Sequence, residues 1–350
     1  MGLSRLAAGM ATVMALAGLP LALAPTVAGA APVDGHGYEV PAQPYKDNPD
    51  KTDWLGSYQV GGNQVWCVQF AYKAPNSDEK YQPGDALKDK WGAVLPDDIA
   101  ADISYLLLRY GGTTSDDDAS ALAHLLHTWT SGVPAGDPRL APTNTFKQVG
   151  YDIASHLAAL PAGAKAAVDR LKADAEANRG PWTAEITPPN RSQTIGTADK
   201  WTLRVTNAKG KGVGGVPVKL TVTDATVAAT TVTTPDDGGP VAVDVTPTGP
   251  NPSVSYSLDS PADRPIVQQP VDVNTQLVMS TGGEKQLTGA GKTAATAVPV
   301  VIPAGGQPVI VSAAVTTRVA PAGLAGFGVL VLLALSAAGL LSRRSARRVS

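Results

Sequence analysis

The sequence predicts a multidomain chain with an α+β head, an all-β sandwich and a single C-terminal transmembrane helix. Three observations predict it. Hydrophobic residues recur at helical spacing up to about residue 180, alternate at strand spacing after Trp182, and run without a charge from Gly323 to Leu341. A length of 350 residues suits about two globular domains. With 43% hydrophobic and 17% charged residues, the chain is not a disordered acidic or basic tail. One cysteine excludes a disulfide-stapled scaffold. Residues 31–320 carry a net charge of −7, so nucleic acid, which needs a basic face, is not an expected partner.

The two ends set the expected location. Residues 1–30 combine Arg5, an apolar run to about Ala24 and small residues at Ala28 and Ala30, the pattern of a secretory signal peptide; the mature chain would begin at Ala31. Gly323–Leu341 would form a helix about 28 Å long, matching a hydrocarbon core of about 30 Å. Arg343, Arg344, Arg347 and Arg348 follow and hold that side in the cytoplasm. The expectation is a transmembrane helix over 320–342, a basic tail over 343–350, and a single-pass type I protein with its ectodomain outside the cell membrane. This ending resembles the cell-wall sorting signal of Gram-positive surface proteins. In Val319-Ala320-Pro321-Ala322-Gly323, however, Ala322 stands where that family has threonine, so a retained membrane anchor is expected rather than sortase processing.

Between the ends, residues 31–57 are rich in turn formers (Pro41, Pro44, Asn48-Pro49) and read as an extended lead-in. The head is assigned to 58–180. Tyr58–Tyr72 alternates around Gly61-Gly62, which predicts a hairpin. Helices are expected from Pro96 to Tyr110, from Asp116 or Asp117 through Trp129 to an end at Gly132, from Phe146 to Leu160 and from Gly163 to Asn178, with prolines, acids and glycines at the ends. Over 181–279, alternating segments at Trp201, Val216, Val241 and Val254, separated by turn signals, predict an immunoglobulin-like antiparallel sandwich. The stretches GKGVGGVPVKLTVTDA and TTPDDGGPVAVDV resemble bacterial Ig-like repeats of the invasin type and prealbumin-like modules, which implies a spacer. Residues 280–319, poor in charge and rich in Thr, Ala, Gly and Pro, read as a stalk.

Cys67 has two readings: a small buried hydrophobe, or a reactive thiol. Trp66-Cys67-Val68 on a strand, Trp91, a helix ending in Tyr-Leu-Leu-Leu-Arg-Tyr-Gly and an Ala-rich helix closing on Trp129 resemble the thioester domain of Gram-positive adhesins, the TQXA-type proteins of actinobacteria. In that family the cysteine acylates itself on a glutamine in a Thr-Gln-x-Ala-aliphatic-Trp helix and releases ammonia. The resemblance puts Cys67 at the cysteine and Trp129 at the closing tryptophan. The glutamine position falls on Leu125 and the threonine on His124, and leucine has no carbonyl to acylate. Gln69, on the same strand, and Gln148 are the substitutes considered.

Other chemistry is weaker. A cysteine hydrolase would need His124, His127 or His156 beside the thiol. His124 and His127 stand at i, i+3, as metal ligands can, but two histidines on an amphipathic helix are also solvated or capping groups; no metal or cofactor is expected. Asp116-Asp117-Asp118 is explained by helix capping, and Gly210–Gly215 lies between strands, where no phosphate cradle forms. The expected role is therefore a non-enzymatic cell-surface protein presenting an adhesin-like head to an extracellular ligand or envelope component, with Trp54, Trp66, Trp91 and Trp129 as contact candidates. A covalent adhesin through Cys67 is the alternative, and a secreted cysteine hydrolase the third.

Overall fold

The computed structural model describes residues 34–280 and 285–298. The expected signal peptide, transmembrane helix, basic tail and Val319–Gly323 lie outside them. Among the described residues no helix is long and apolar enough to cross a membrane.

The elements follow in chain order. The head begins with β1 (Asp34–Pro41), β2 (Thr52–Val60), β3 (Asn63–Cys67) and β4 (Tyr81–Ala86). Helices α1 (Asp97–Tyr110) and α2 (Asp116–Ser131) come next, then the short strands β5 (Gly132–Val133) and β6 (Tyr151–Asp152), and helices α3 (Ile153–Ala159) and α4 (Ala162–Asn178). The sandwich region contains β7 (Thr183–Thr187), β8 (Gln193–Thr194), β9 (Asp199–Thr206), β10 (Pro217–Thr223), β11 (Ala225–Val227), β12 (Thr231–Thr233), β13 (Val241–Pro247) and β14 (Ser253–Ser260). The last strands are β15 (Ile266–Pro270), β16 (Val278–Ser280), β17 (Lys285–Lys292) and β18 (Ala295–Thr296).

The head is a six-stranded sheet in the order β1-β2-β3-β16-β15-β4, with helices against one face. Gly61 and Gly62 turn the β2–β3 hairpin with φ of 57° and 80°, the paired positive values that a type I′ turn requires. The Ser115 side chain accepts from the Asp118 N–H and starts α2, with three aspartates in its first turn. Its buried face meets the sheet, where the Ser120 hydroxyl donates to Leu55 O at 2.8 Å; the end of α1 meets it too, as Trp66 Nε1–H donates to Gly111 O at 3.0 Å. Two four-stranded sheets, β12-β10-β14-β17 and β11-β13-β9-β7, make the expected sandwich. In β9 every second residue is buried, Trp201, Leu203 and Val205, which is the alternation of a half-covered sheet. Head and sandwich share one continuous core, braced where Arg109 donates to Gly215 O at 2.8 Å.

Four expectations are corrected. The lead-in of 31–57 supplies β1 and much of β2, paired from Tyr38↔Leu55 to Pro41↔Thr52; Pro41 ends β1, and Pro44 and Asn48-Pro49 lie in the connection between the strands. The region read as the end of the sandwich crosses back into the head, where β15 and β16 sit between β3 and β4. The start of the stalk is β17, paired with β14 from Ser253↔Lys292 to Ser260↔Lys285. Its Gly289 and Gly291 sit under Tyr256 and Trp201, where side chains would collide, so the strand shows little apolar alternation. The third helix is shorter than expected: Gln148 Oε1 accepts from Thr145 N–H at 3.1 Å and closes a turn, and Asp152 caps α3 only at Ile153.

Candidate functional site

Cys67 closes β3 and is 4% exposed. It lies on the outer face of the head sheet with Tyr58, Val65 and Val278, covered by Trp54, Ala74 and Tyr81. Trp66 and Val68, its neighbours in sequence, point the other way into the helical core. Burial pushes the Cys67 thiol well above its ordinary pKa, and the Asp34 carboxylate adds to the effect. It is therefore a neutral thiol in a dry setting.

The residues expected to react with Cys67 are not beside it. Leu125 and its helix are packed in the core on the opposite face of the sheet, so even a glutamine there would be separated from the sulfur by the β-sheet. Gln69 Oε1 accepts from the Leu277 N–H at 3.3 Å, and Gln148 is occupied with Thr145. The three histidines gather elsewhere: His124 Nδ1 contacts the Tyr151 hydroxyl at 2.7 Å, His156 stacks on the Tyr151 ring at 4.2 Å, and His156 Nε2 reaches Asp53 Oδ2 at 3.0 Å. Among the described residues no cluster of three or more His, Cys, Asp or Glu could hold a metal ion. Of the tryptophans, Trp66 is wholly buried, Trp129 packs against the core, and Trp91 is 38% exposed with the Arg139 guanidinium 4.4 Å from its ring.

A different glutamine, Gln276, lies on the same sheet face as the thiol. The returning strand β16 pairs Val278 with Cys67, and Val68 N–H continues the ladder to Leu277 O at 3.2 Å. Leu277 and Met279 join the helical core whereas Val278 joins the Cys67 cluster. By the same alternation Gln276 faces outward, diagonal to Cys67. Diagonal neighbours on an antiparallel pair stand about 7–8 Å apart, within reach of a long side chain. Tyr81 touches both: it packs on the Cys67 cluster, and its hydroxyl donates to Gln276 O at 3.2 Å. Gln276 is 6% exposed, and its Oε1 is buried without a hydrogen-bond partner. A dry, unpaired amide oxygen costs about 1–3 kcal/mol and calls for a functional or structural reason.

Gln276 also lines a cleft of about 860 Å³ with Trp54, Tyr58, Phe70, Tyr72 and His127, within the usual range of ligand pockets. Gly56 lets the Trp54 indole lie along the sheet: a Cβ there would stand 2.8 Å from the ring. Lys90 ties the cleft walls together from behind, as its ammonium donates to Phe70 O at 2.6 Å, Phe146 O at 2.7 Å and Val149 O at 2.6 Å. Burial lowers Lys90 to about 7, while these three carbonyls favour the charged form.

No protein-family model matches the chain, and no curated protein matches it. Among solved structures, the D00-D0 domain of Intimin is similar at 20% identity over 27% of this chain and 45% of that one, with a TM-score of 0.19. The Bacillus anthracis TIE protein is similar at 12% identity over 76% of this chain and 48% of that one, with a TM-score of 0.33. The D0-D1 domain of Intimin is similar at 13% identity over 33% of this chain and 97% of that one, with a TM-score of 0.18. The chain thus spans about half the length of the first two. Likeness at this level assigns neither a family nor a function.

Sequence patterning missed Gln276 because it placed that residue in the sandwich. The available signal was the dipeptide Thr275-Gln276 ahead of Leu277-Val278-Met279, a Thr-Gln pair leading into an apolar strand.

Proposed function

We propose that the chain is a covalent adhesin whose head carries an internal thioester between Cys67 and Gln276. The observation that carries this reading is the buried, unpartnered Gln276 Oε1 on a residue whose strand alternation puts it on the same sheet face as the buried thiol. The Cys67 sulfur adds to the Gln276 Cδ, the C–N bond breaks, and the amide nitrogen leaves as ammonia with the thiol proton. The resulting Sγ–Cδ bond is an acyl donor kept from water by its burial. A primary amine that enters the cleft attacks Cδ, regenerates the Cys67 thiol and leaves an amide between Gln276 and the partner. Each head acts once, so the protein is not an enzyme. The rest of the reading stands on the sequence: secretion through residues 1–30, a single-pass anchor over 320–342, and an extracellular or envelope partner.

Intact mass of the folded chain tests it. A thioester lowers the mass by about 17 Da through lost ammonia, and methylamine abolishes the bond. Cys67→Ala and Gln276→Ala each remove the deficit, whereas Gln69→Ala and Gln148→Ala keep it. Full mass in the folded wild type overturns the covalent reading and leaves a head that only grips.

A further inference from the structure

The cluster packed around the Cys67 sulfur is apolar save for Trp54, Tyr58 and Tyr81. Two of these polar groups are spent. Trp54 Nε1–H donates to Ser57 O at 3.0 Å, and the Tyr81 hydroxyl donates to Gln276 O at 3.2 Å. Tyr58 is 4% exposed, and its hydroxyl has no hydrogen-bond partner among the described residues. A buried phenol usually finds an acceptor, so a free one packed beside a thiol needs a reason. Burial, with the nearby Cys67, Asp34, Asp53 and Tyr81 charges, holds Tyr58 well above the ordinary phenol value. The group therefore stays a donor.

Strand pairing fixes where the phenol stands. Tyr58 is opposite Val65 in the β2–β3 hairpin, which sets it diagonal to Cys67 on one side, as Gln276 is on the other. Tyr58 and Gln276 both line the cleft. The Gln276 Oε1 is a buried acceptor without a partner, and it is the atom that becomes an oxyanion when sulfur adds to Cδ. In that intermediate the oxygen is bonded to the carbon that the sulfur holds, so a donor packed on the sulfur reaches it. The other phenols of the cleft, Tyr45 and Tyr72, lie outside this cluster.

We propose that Tyr58 is a catalytic residue, whose hydroxyl donates to the oxyanion that forms on Gln276 when Cys67 attacks it. The sulfur–carbon bond forms, the carbon–nitrogen bond breaks, and the thiol proton leaves with the nitrogen as ammonia. The phenol keeps its own proton throughout. Attack of an amine on the thioester passes through an oxyanion on the same carbon, so one donor serves formation and release alike. The proposal rests on the thioester reading and gives that chemistry its electrostatic partner.

The test uses the full chain and Tyr58→Phe, which keeps the ring and removes the donor. Formation is followed by intact mass at intervals after cell-free synthesis, and release by the rate at which methylamine adds. Tyr58→Phe should slow both by about a hundredfold, with a urea midpoint equal to or above that of the wild type. A role in packing alone has the opposite sign, because a loosened cover admits methylamine faster. Tyr81→Phe, whose hydroxyl holds only a backbone carbonyl, should react at close to the wild-type rate. Tyr58→3-fluorotyrosine, a more acidic phenol of nearly the same size, should speed both steps, and this arm decides the question if the phenylalanine variant does not fold. Wild-type or faster reaction in Tyr58→Phe, or slower reaction with the fluorinated phenol, overturns the proposal. A wild type at full mass at every interval sinks the thioester and this role with it, whereas a wild-type deficit with an unslowed Tyr58→Phe sinks the role alone.

Discussion

Replacing Lys90 with methionine isolates the contribution of the cleft's rear tie. Three backbone carbonyls, from Phe70, Phe146 and Val149, lose the ammonium donor that holds them at 2.6–2.7 Å. At about 1–3 kcal/mol for each buried group left unpaired, the gross loss is about 3–9 kcal/mol. Methionine returns part of this by apolar burial and by ending the desolvation of a charge, so a net loss of about 3 kcal/mol is expected, at the lower end for removing one partner of a buried ionic network. Urea unfolding at about pH 6 is the assay, below the value of about 7 to which burial lowers Lys90, so that the wild-type side chain is charged. Phe70 and Phe146 both line the cleft, so under the proposed covalent reading the variant should also lose its thioester to water faster. A stability change below about 1 kcal/mol would refute the claim that Lys90 is the tie.

Other perturbations act through equally specific contacts. Gly56→Val pushes a side chain into the Trp54 ring; a red-shifted tryptophan emission and a loss of about 2 kcal/mol are expected, and an unchanged spectrum would show that the indole does not need that space. Burial holds His124 to about 4 and His127 to about 3, below the ordinary 6.5, so the unfolded chain binds more protons as pH falls below 6.5 and stability drops. The loss is about 2 kcal/mol per ring at pH 5; equal urea midpoints at pH 7 and pH 5 would contradict it, and the double variant His124→Gln, His127→Gln should flatten the dependence. Asp102 is buried against Arg179 at 3.0 Å, and Arg179→Ala should cost about 3–5 kcal/mol by stranding that carboxylate, measured by thermal unfolding. A fragment ending at Arg179 lacks β15 and β16 and should show no cooperative unfolding by circular dichroism; a sharp transition would make the head independent of its returning strands.

Local order was readable where local chemistry decides it. Asp116-Asp117-Asp118 announced α2, Gly61-Gly62 announced the hairpin, and the alternation through Trp201 and Val205 announced the sandwich. The failures share one physical origin, which is that strand pairing is long-range. Nothing near Ile266 or Val278 states that these residues pair with Tyr81–Ala86 and with Cys67 rather than with the sandwich strand before them. Glycine concealed β17, because Gly289 and Gly291 make room for aromatic rings supplied by distant strands. The candidate site was half legible. Cys67 stood out by being alone, but the partner now proposed for it, Gln276, lay outside the motif's own spacing, because the connection between β4 and β15 carries four helices and the greater part of a sandwich.

That connection sets a timetable. A chain made from its N-terminus presents β3 early, with one side of its ladder unfilled. Gln276 arrives only after strands β7 to β14 of the sandwich have been synthesised. Until β16 slots in beside it, the Cys67 cluster lacks Val278 and the sheet face lacks Gln276, so under the proposed covalent reading an unfinished molecule is unarmed. Under that reading only a completed fold is armed.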